Sequence, residues 1–286
     1  MIRALGRRKL EIALSAPLFA YILGLTGLPL LYALGLSLRD PRTGAFPTIS
    51  NYLFIASHSQ FIQALMNSLA IVVLGVALEL IVGLALALSL SQALRGRAIF
   101  RSLLLTPLGI PTIVSGVIFT YFFDTSGYLN EALSRLGLIA HPIDWAGGGL
   151  KTILMVVVAD MWKVTPVVVL ILLAGLESIP RSLYKAASTD GAGPLKRFWH
   201  ITLPLIKPFI TMAVILRTID TFRIFEVPLI LAGKATPVLA TYSYYEFHDY
   251  NNPYSSAAAA TILTAIIALF VSGYLALAGR GETSLE

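Results

Sequence analysis

No cysteine occurs among the 286 residues, which excludes disulfides and thiolate metal sites and leaves the redox character of the compartment unmarked. Charge is scarce as well: Asp, Glu, Lys and Arg make up 13% of the chain, against 57% hydrophobic residues. Soluble proteins carry about 25% charged residues, so neither one large nor two modest soluble domains fit. The alternating segments of about ten residues that mark an outer-membrane β-barrel are missing. So are a nucleophile elbow and an HExxH motif, which removes the usual membrane hydrolases. The nearest approach to a phosphate loop, Gly233-Lys234, has Pro228 where the pattern needs glycine and Ala235 where it needs Ser or Thr, so no nucleotide site is present. His58, His141, His200 and His248 are scattered over loops without paired ligand spacing, which argues against a metal site.

What the chain does have is long apolar runs. A spanning helix needs about 20 largely apolar residues, and six segments qualify: Ile12 to Leu38, Ala64 to Leu90, Ser102 to Phe123, Thr152 to Ala174, Leu205 to Ala232 and Ser255 to Ala278. They predict an all-α membrane protein with six transmembrane helices. The first run is too long for a signal h-region and ends without a small-residue cleavage site, so it reads as a retained helix. The net charge of +6 raises the question of nucleic acid, and the positions of the basic residues answer it. Arg3, Arg7, Arg8, Lys9, Arg95, Arg97, Arg101, Arg181, Lys185, Lys196, Arg197, Lys207 and Arg280 all fall on one side, 13 of the 21 Lys and Arg. The intervening loops hold Arg39, Arg42, Arg135, Lys151 and Lys234. This asymmetry predicts cytoplasmic amino and carboxyl termini and makes the basic pI a topology signal, with no nucleic-acid partner.

The first outer loop, Arg39 to Gln63, carries Pro41, Gly44 and Pro47 and predicts an irregular segment with a short helix leading into the second span. In the second, Asp124 to Leu150, NEALSRL is apolar at helical spacing and predicts an interfacial helix. The third, Gly233 to Pro253, includes TYSYYEFHDYNNPY, which fits an aromatic belt or a surface for a soluble partner or a stacked sugar. No fixed-period repeat is visible.

The second inner loop, 177–208, is long for a compact connection. Ser178 and Pro180 give a helix start, Ile179, Leu183 and Ala187 share one face, and Gly191 stands where a left-handed residue stops a helix. Pro194 opens a second short helix with Leu195, Phe198 and Trp199 on its apolar side, and Pro204 and Pro208 are expected to break the chain before the fifth span. Ala186, Ala187 and Gly191 allow another backbone to approach closely, which suggests a docking knuckle at the cytoplasmic surface.

Charges also stand inside the spans, where each costs about 2.5–3.5 kcal/mol at the bilayer centre on insertion scales. Arg217, Asp220, Arg223 and Glu226 recur every three residues with alternating sign and are expected along one side of the fifth span, as an ion-pair ladder between helices or as the lining of a translocation cavity. Glu79, Asp160 and Lys163 are weaker cases of the same kind.

Lys185-Ala186-Ala187, Gly191 after three residues, then Ile201, Leu203 and Pro204 resemble the cytoplasmic EAA loop of permease subunits in binding-protein-dependent ABC importers, and LYKAASTDGAGPLKRFWHITLPLIKP is similar to the carbohydrate-type members. FRSLLLTPLGIP, YFFDTSGYLNEALSRLGL, DTFRIFEVPLILAG and SSAAAATILTAII extend the resemblance over most of the chain. It implies an organisation of residues 1–63 (amino terminus, first helix and outer loop), a permease core at 64–279 and a cytoplasmic tail at 280–286. It also implies Lys185, Ala186, Ala187, Asp190, Gly191 and Pro204 as ATPase-coupling residues on a coupling helix between the fourth and fifth spans. The partners implied are a second, homologous permease, two cytoplasmic ATPase subunits that hold ATP and Mg, an extracytoplasmic solute-binding protein and the lipid of a prokaryotic inner membrane. No cofactor and no catalytic activity are expected of this chain. Two departures stand out: Lys185 replaces the motif's glutamate, and LAGKATP has Lys234 where further glycine is usual. The leading reading is a sugar or polyol permease. An ABC importer for an anionic solute such as glycerol phosphate, an ion-gradient-driven secondary transporter and a scaffold without transport are the alternatives.

Overall fold

A computed structural model describes residues 14–91 and 96–279, and all regular elements among them are helical. Arg3, Arg7, Arg8, Lys9, Arg95, Arg280 and the tail 280–286 lie outside the described residues. Five helices are long and apolar enough to cross a membrane, and a bent pair would make a sixth span. They are α1 (Leu14–Ser37), α3 (Ser59–Ser91), α7 (Leu150–Ser178), α9 (Pro194–Phe222) and α12 (Pro253–Gly279). Shorter helices are α2 (Ser50–Ala56), α4 (Arg97–Leu105), α5 (Thr112–Phe123), α6 (Tyr128–Arg135), α8 (Arg181–Thr189), α10 (Glu226–Leu231) and α11 (Leu239–His248). The short helices α2 and α6 fall where the outer-loop patterns put them.

Two compact units are distinguished: Met1–Ser59 with Tyr242–Thr264, and Gln60–Thr241 with Ala265–Glu286. In the first, Asn51 holds α2 against the end of α1 by donating to the carbonyls of Ser37 (2.9 Å) and Arg39 (2.8 Å). Backbone N–H groups of Thr43 and Arg42 keep the Asp40 carboxyl below its ordinary range, while burial pushes that of Glu246 up. Within the tyrosine-rich segment, Leu239–His248 is helical.

In the second unit the buried apolar residues form two clusters. Ile71, Phe119, Phe123, Ile153, Met155 and Val227 belong to one; Ala87, Val168, Leu172, Leu176, Ile206 and Ala213 belong to the other. Small residues let the long helices close on each other. A Cβ on Gly83 of α3 would lie 2.7 Å from Val168 of α7, and one on Gly175 of α7 would lie 2.6 Å from the Phe209 ring of α9. Close backbone approach of this kind replaces the hydrophobic drive that lipid removes.

Two expected spans are not continuous. The third breaks at Ile110–Pro111, just after a 3-10 turn at Thr106–Gly109, and the helical stretches on either side, Arg97–Gly109 and Thr112–Arg135, are bent by 97°. Pro107 and Pro111 explain it: neither can donate to a helical ladder, and Ile110, placed before Pro111, is driven to the extended conformation (ψ 128°). The Lys163 ammonium donates to the Ile110 carbonyl, so this intramembrane charge serves the break. The fifth span ends at Phe222 and restarts as α10, with Pro228 in its first turn and Gly233 (φ +53°) beyond its end. The expected break at Pro204 and Pro208 is absent. A π turn over Phe198–Thr202 lets the chain run helically from Pro194 to Phe222, shifting the register just before the first of those prolines.

Gly83→Leu is expected to cost about 1–3 kcal/mol by overpacking, read as a lower unfolding midpoint in detergent. Gly273→Leu, where a Cβ meets nothing within 4 Å, should change stability by less than about 0.5 kcal/mol.

Candidate functional site

The intramembrane charges converge on Arg217. Its Nε donates to Glu79 Oε2 at 2.7 Å and its Nη2 to Glu79 Oε1 at 3.1 Å, a two-pronged pair between α9 and α3. The same Nη2 reaches Asp160 Oδ2 of α7 at 2.9 Å and Thr221 Oγ1 at 3.2 Å, and Nη1 reaches Asp220 Oδ2 at 3.3 Å. Side-chain exposure is 3% for Arg217, 0% for Glu79 and 12% for Asp160, but 54% for Asp220, so the first three form the buried part. A planar guanidinium suits this place because its five donors serve several acceptors at once, which an ammonium cannot. Along both α3 and α7 the ionic layer lies between the two apolar clusters: Ile71, Glu79 and Ala87 on one helix, Ile153, Asp160 and Val168 on the other.

The four-residue ladder expected on the fifth span does not form. Arg217 and Asp220 pair within α9, but Arg223 is the exposed residue at the helix end and Glu226 begins α10. Termination of the helix at Phe222 removes the three-residue register. Arg217 instead pairs mainly with Glu79 and Asp160, the isolated acids of other spans. Thr221 gave no signal in the sequence, because a threonine in a membrane helix is unremarkable until a buried charge lies one turn before it.

The 177–208 loop has a second geometry. At the carboxyl end of α8, the N–H of Gly191 donates to the Ser188 carbonyl (3.2 Å) and that of Ala192 to the Ala187 carbonyl (2.8 Å), with Gly191 at φ +74°. This is the two-bond glycine cap, and it needs the left-handed residue that the sequence supplies. At the other end Ser178 does not cap: it is the last residue of α7, its hydroxyl donates to Gly175, and Pro180 precedes α8. Of the three residues expected to share one face, Ile179 precedes α8 and is buried, while Leu183 on α8 is exposed. Tyr184 and Ser188 face the following helix instead. The Tyr184 hydroxyl pairs with Thr202 Oγ1 at 2.9 Å, and Arg197 Nη1 donates to Ser188 Oγ at 2.9 Å. Lys185, Ala186, Asp190, Gly191 and Pro204 are exposed and Ala187 is half-buried. Leu195 and Trp199 add exposed apolar surface beside them.

Buried amides, which no motif announces, organise the second unit further. Asn67 Nδ2 donates to the Pro237 carbonyl at 2.8 Å and Leu239 N–H to Ser68 Oγ at 2.8 Å. Asn130 accepts from Ile143 N–H and Trp145 Nε1 and donates to the Ile143 carbonyl, closing the second outer loop on itself. Among the described residues no group of three or more His, Cys, Asp or Glu is arranged to hold a metal ion.

Residues 79–281 match the family model described as binding-protein-dependent transport system inner membrane component. The trehalose/maltose transport system permease protein MalF of Thermococcus litoralis is 36% identical over 272 residues, covering 91% of this chain and 90% of that protein. The trehalose transport system permease protein SugA of Mycobacterium tuberculosis is 35% identical, covering 98% and 93%. Among solved structures, a chain of a bacterial alginate ABC transporter in complex with an alginate pentasaccharide-bound periplasmic protein superposes with a TM-score of 0.85 at 20% identity, covering 98% of this chain and 97% of that one.

Arg217→Ala, which leaves the buried Glu79 and Asp160 carboxylates without their cation, and Glu79→Ala, which removes both bonds of the two-pronged pair, are each expected to cost about 3–5 kcal/mol. Asp220→Ala should cost less than about 1 kcal/mol, because that carboxylate is more than half exposed. Unfolding titration of the three variants in mixed micelles checks the contrast, and equal losses would contradict it.

Proposed function

This chain belongs to the binding-protein-dependent transport system inner membrane components, and we propose that it is the transmembrane permease subunit of an ATP-driven ABC importer for a sugar or polyol. The observation that carries this reading is the kinship with trehalose and maltose permeases at 35–36% identity over at least nine-tenths of the chain. Carbohydrate is the substrate class that those relatives' names share. The chain itself is non-catalytic: ATP and Mg belong to two cytoplasmic ATPase subunits. A second, homologous permease completes the translocation path, and an extracytoplasmic binding protein delivers the solute. The amino and carboxyl termini lie in the cytoplasm of a prokaryotic cell, as the distribution of basic residues supports. α1, whose apolar window is wholly unburied, offers a surface to lipid or to the second permease.

In this reading α8 is the coupling helix. Its outer surface, Lys185, Ala186, Ala187, Asp190 and Gly191, seats on an ATPase subunit, with Pro204 at the start of the following span. Closure of the ATPase pair displaces α8, and the Tyr184–Thr202 and Arg197–Ser188 bonds pass that displacement to α9. Because α9 is helical over 29 residues, a rod of about 44 Å, movement at its cytoplasmic end reaches Arg217 without an intervening hinge. Arg217, Asp220, Arg223 and Glu226 are the path candidates on this chain. Asp220 and Arg223 carry most of the accessible charge, while Arg217 positions three helices around the path. Rigid displacement of this kind is what alternating access needs. The carboxylates around Arg217 also weigh against an anionic solute, since they cancel the cation that would have attracted it.

Solute uptake into proteoliposomes holding the assembled transporter should survive collapse of ion gradients and stop when ATP is removed; the opposite dependence would identify a secondary transporter. Ala187→Asp and Gly191→Asp should insert normally and reduce substrate-stimulated ATP hydrolysis at least about tenfold, the scale of an interface contact worth 1.4 kcal/mol. Lys185→Glu should weaken co-purification of the ATPase if its groove is acidic at that point, and leave it unchanged if Lys185 stays solvated.

A further inference from the structure

Where α7 ends and α8 begins, a recess of about 810 Å³ opens between the ends of the long helices and the 177–208 loop. Its polar wall is strongly cationic. Arg97, Arg181 and Arg197 line it together with Glu177, and Arg101 lies one turn from Arg97 with its Nη2 at 2.6 Å from Glu177 Oε1. Arg97 shares the same carboxylate oxygen. Three arginines and one carboxylate therefore line the recess, and Arg97 and Arg101 both donate to a single oxygen of that acid. The Nε atoms of Arg97, Arg101 and Arg197 are out of solvent contact and have no acceptor. Buried donors without acceptors are rare and mark a place where an acceptor is missing.

The level of this recess in the membrane narrows what would supply the oxygens. α4 is amphipathic: Arg97 and Arg101 turn to Glu177, whereas Ile99, Phe100 and Leu103 are exposed. Such a helix lies in the headgroup plane with its apolar side toward the acyl chains. Half-buried Leu88, near the end of α3, also lines the recess and gives it an apolar edge. We propose that this recess binds the phosphate of an anionic phospholipid, with the acyl chains passing over Leu88 and the phosphate oxygens accepting from Arg181, Arg197 and Arg97. Guanidinium forks match phosphate oxygens in geometry as well as charge. Taken with the coupling role proposed for α8, the bound headgroup would brace that helix against the ends of α3, α4 and α7; its binding does not depend on that role.

The test uses the assembled transporter, delipidated in detergent and titrated separately with dihexanoyl phosphatidylglycerol, dihexanoyl phosphatidylcholine and inorganic phosphate. Thermal unfolding and native mass spectrometry are the readouts. Phosphatidylglycerol should raise the midpoint and remain bound to this chain, and phosphatidylcholine should do neither. Arg181→Gln and Arg197→Gln should each weaken phosphatidylglycerol binding about tenfold or more, as expected for loss of a charge-assisted contact, with Arg135→Gln, a charge change elsewhere, neutral. The parent's discrimination between the two lipids stands as a test even if a variant folds poorly. Equal responses to both lipids, or unaltered binding in both Gln variants, would overturn the proposal. An equal midpoint shift with inorganic phosphate alone would reassign the recess to a free anion and overturn the lipid assignment. Because these readouts report binding alone, a failure of ATP-dependent uptake would count against the transport reading and leave this one standing.

Discussion

A guanidinium in a hydrocarbon layer has to be neutralised and hydrogen-bonded, and meeting that demand for Arg217 fixes where three long helices meet. Glu79 comes from α3 and Asp160 from α7, so none of the three helices can slide or rotate without unpairing a buried charge. Lipid gives such helices little hydrophobic reason to associate. The ionic layer supplies register, and glycine contacts such as Gly83 on Val168 and Gly175 on Phe209 supply closeness. With register fixed at one level, the apolar clusters on either side can pack as defined sets of residues.

The same constraint joins the middle of the protein to its 177–208 loop. Arg217 lies on the helix that begins at Pro194, and that beginning is held to α8 through Thr202 and Arg197. A π turn rather than a kink accommodates Pro204, so the proline-rich start of α9 remains mechanically continuous. Had the prolines broken the helix, a displacement of α8 would be absorbed at the joint. Continuity of this kind is the physical requirement for the coupling proposed for α8.

Much of this was legible in the residues. Runs of apolar sequence located the long helices, and the glycine at 191 located the end of α8 because no other residue adopts its left-handed conformation as cheaply. Helix interruptions were read less well, since a count of apolar residues is blind to backbone chemistry. PLGIP in the third span and EVP after the fifth carried the breaks, while Pro204 and Pro208, which look equally disruptive, were absorbed. The difference lies in tertiary context: Lys163 from α7 satisfies the carbonyl exposed before Pro111, and the π turn resets the register before Pro204. The site was half-visible. Isolated acids in apolar runs announced Glu79 and Asp160, but periodicity along one helix suggested partners at Arg223 and Glu226, and only the packing of different helices could show the actual pairs.

A double-mutant cycle between Glu79 and Arg217, using Glu79→Gln and Arg217→Gln with unfolding free energies measured in mixed micelles, tests the ionic layer most directly. The account predicts that the double variant is more stable than the sum of the single losses allows, by about 2–3 kcal/mol, because the second substitution removes a charge the first left unpaired. Additivity within about 0.5 kcal/mol would mean that the two side chains are not coupled, and would contradict the claim that this pair sets the register of the membrane helices.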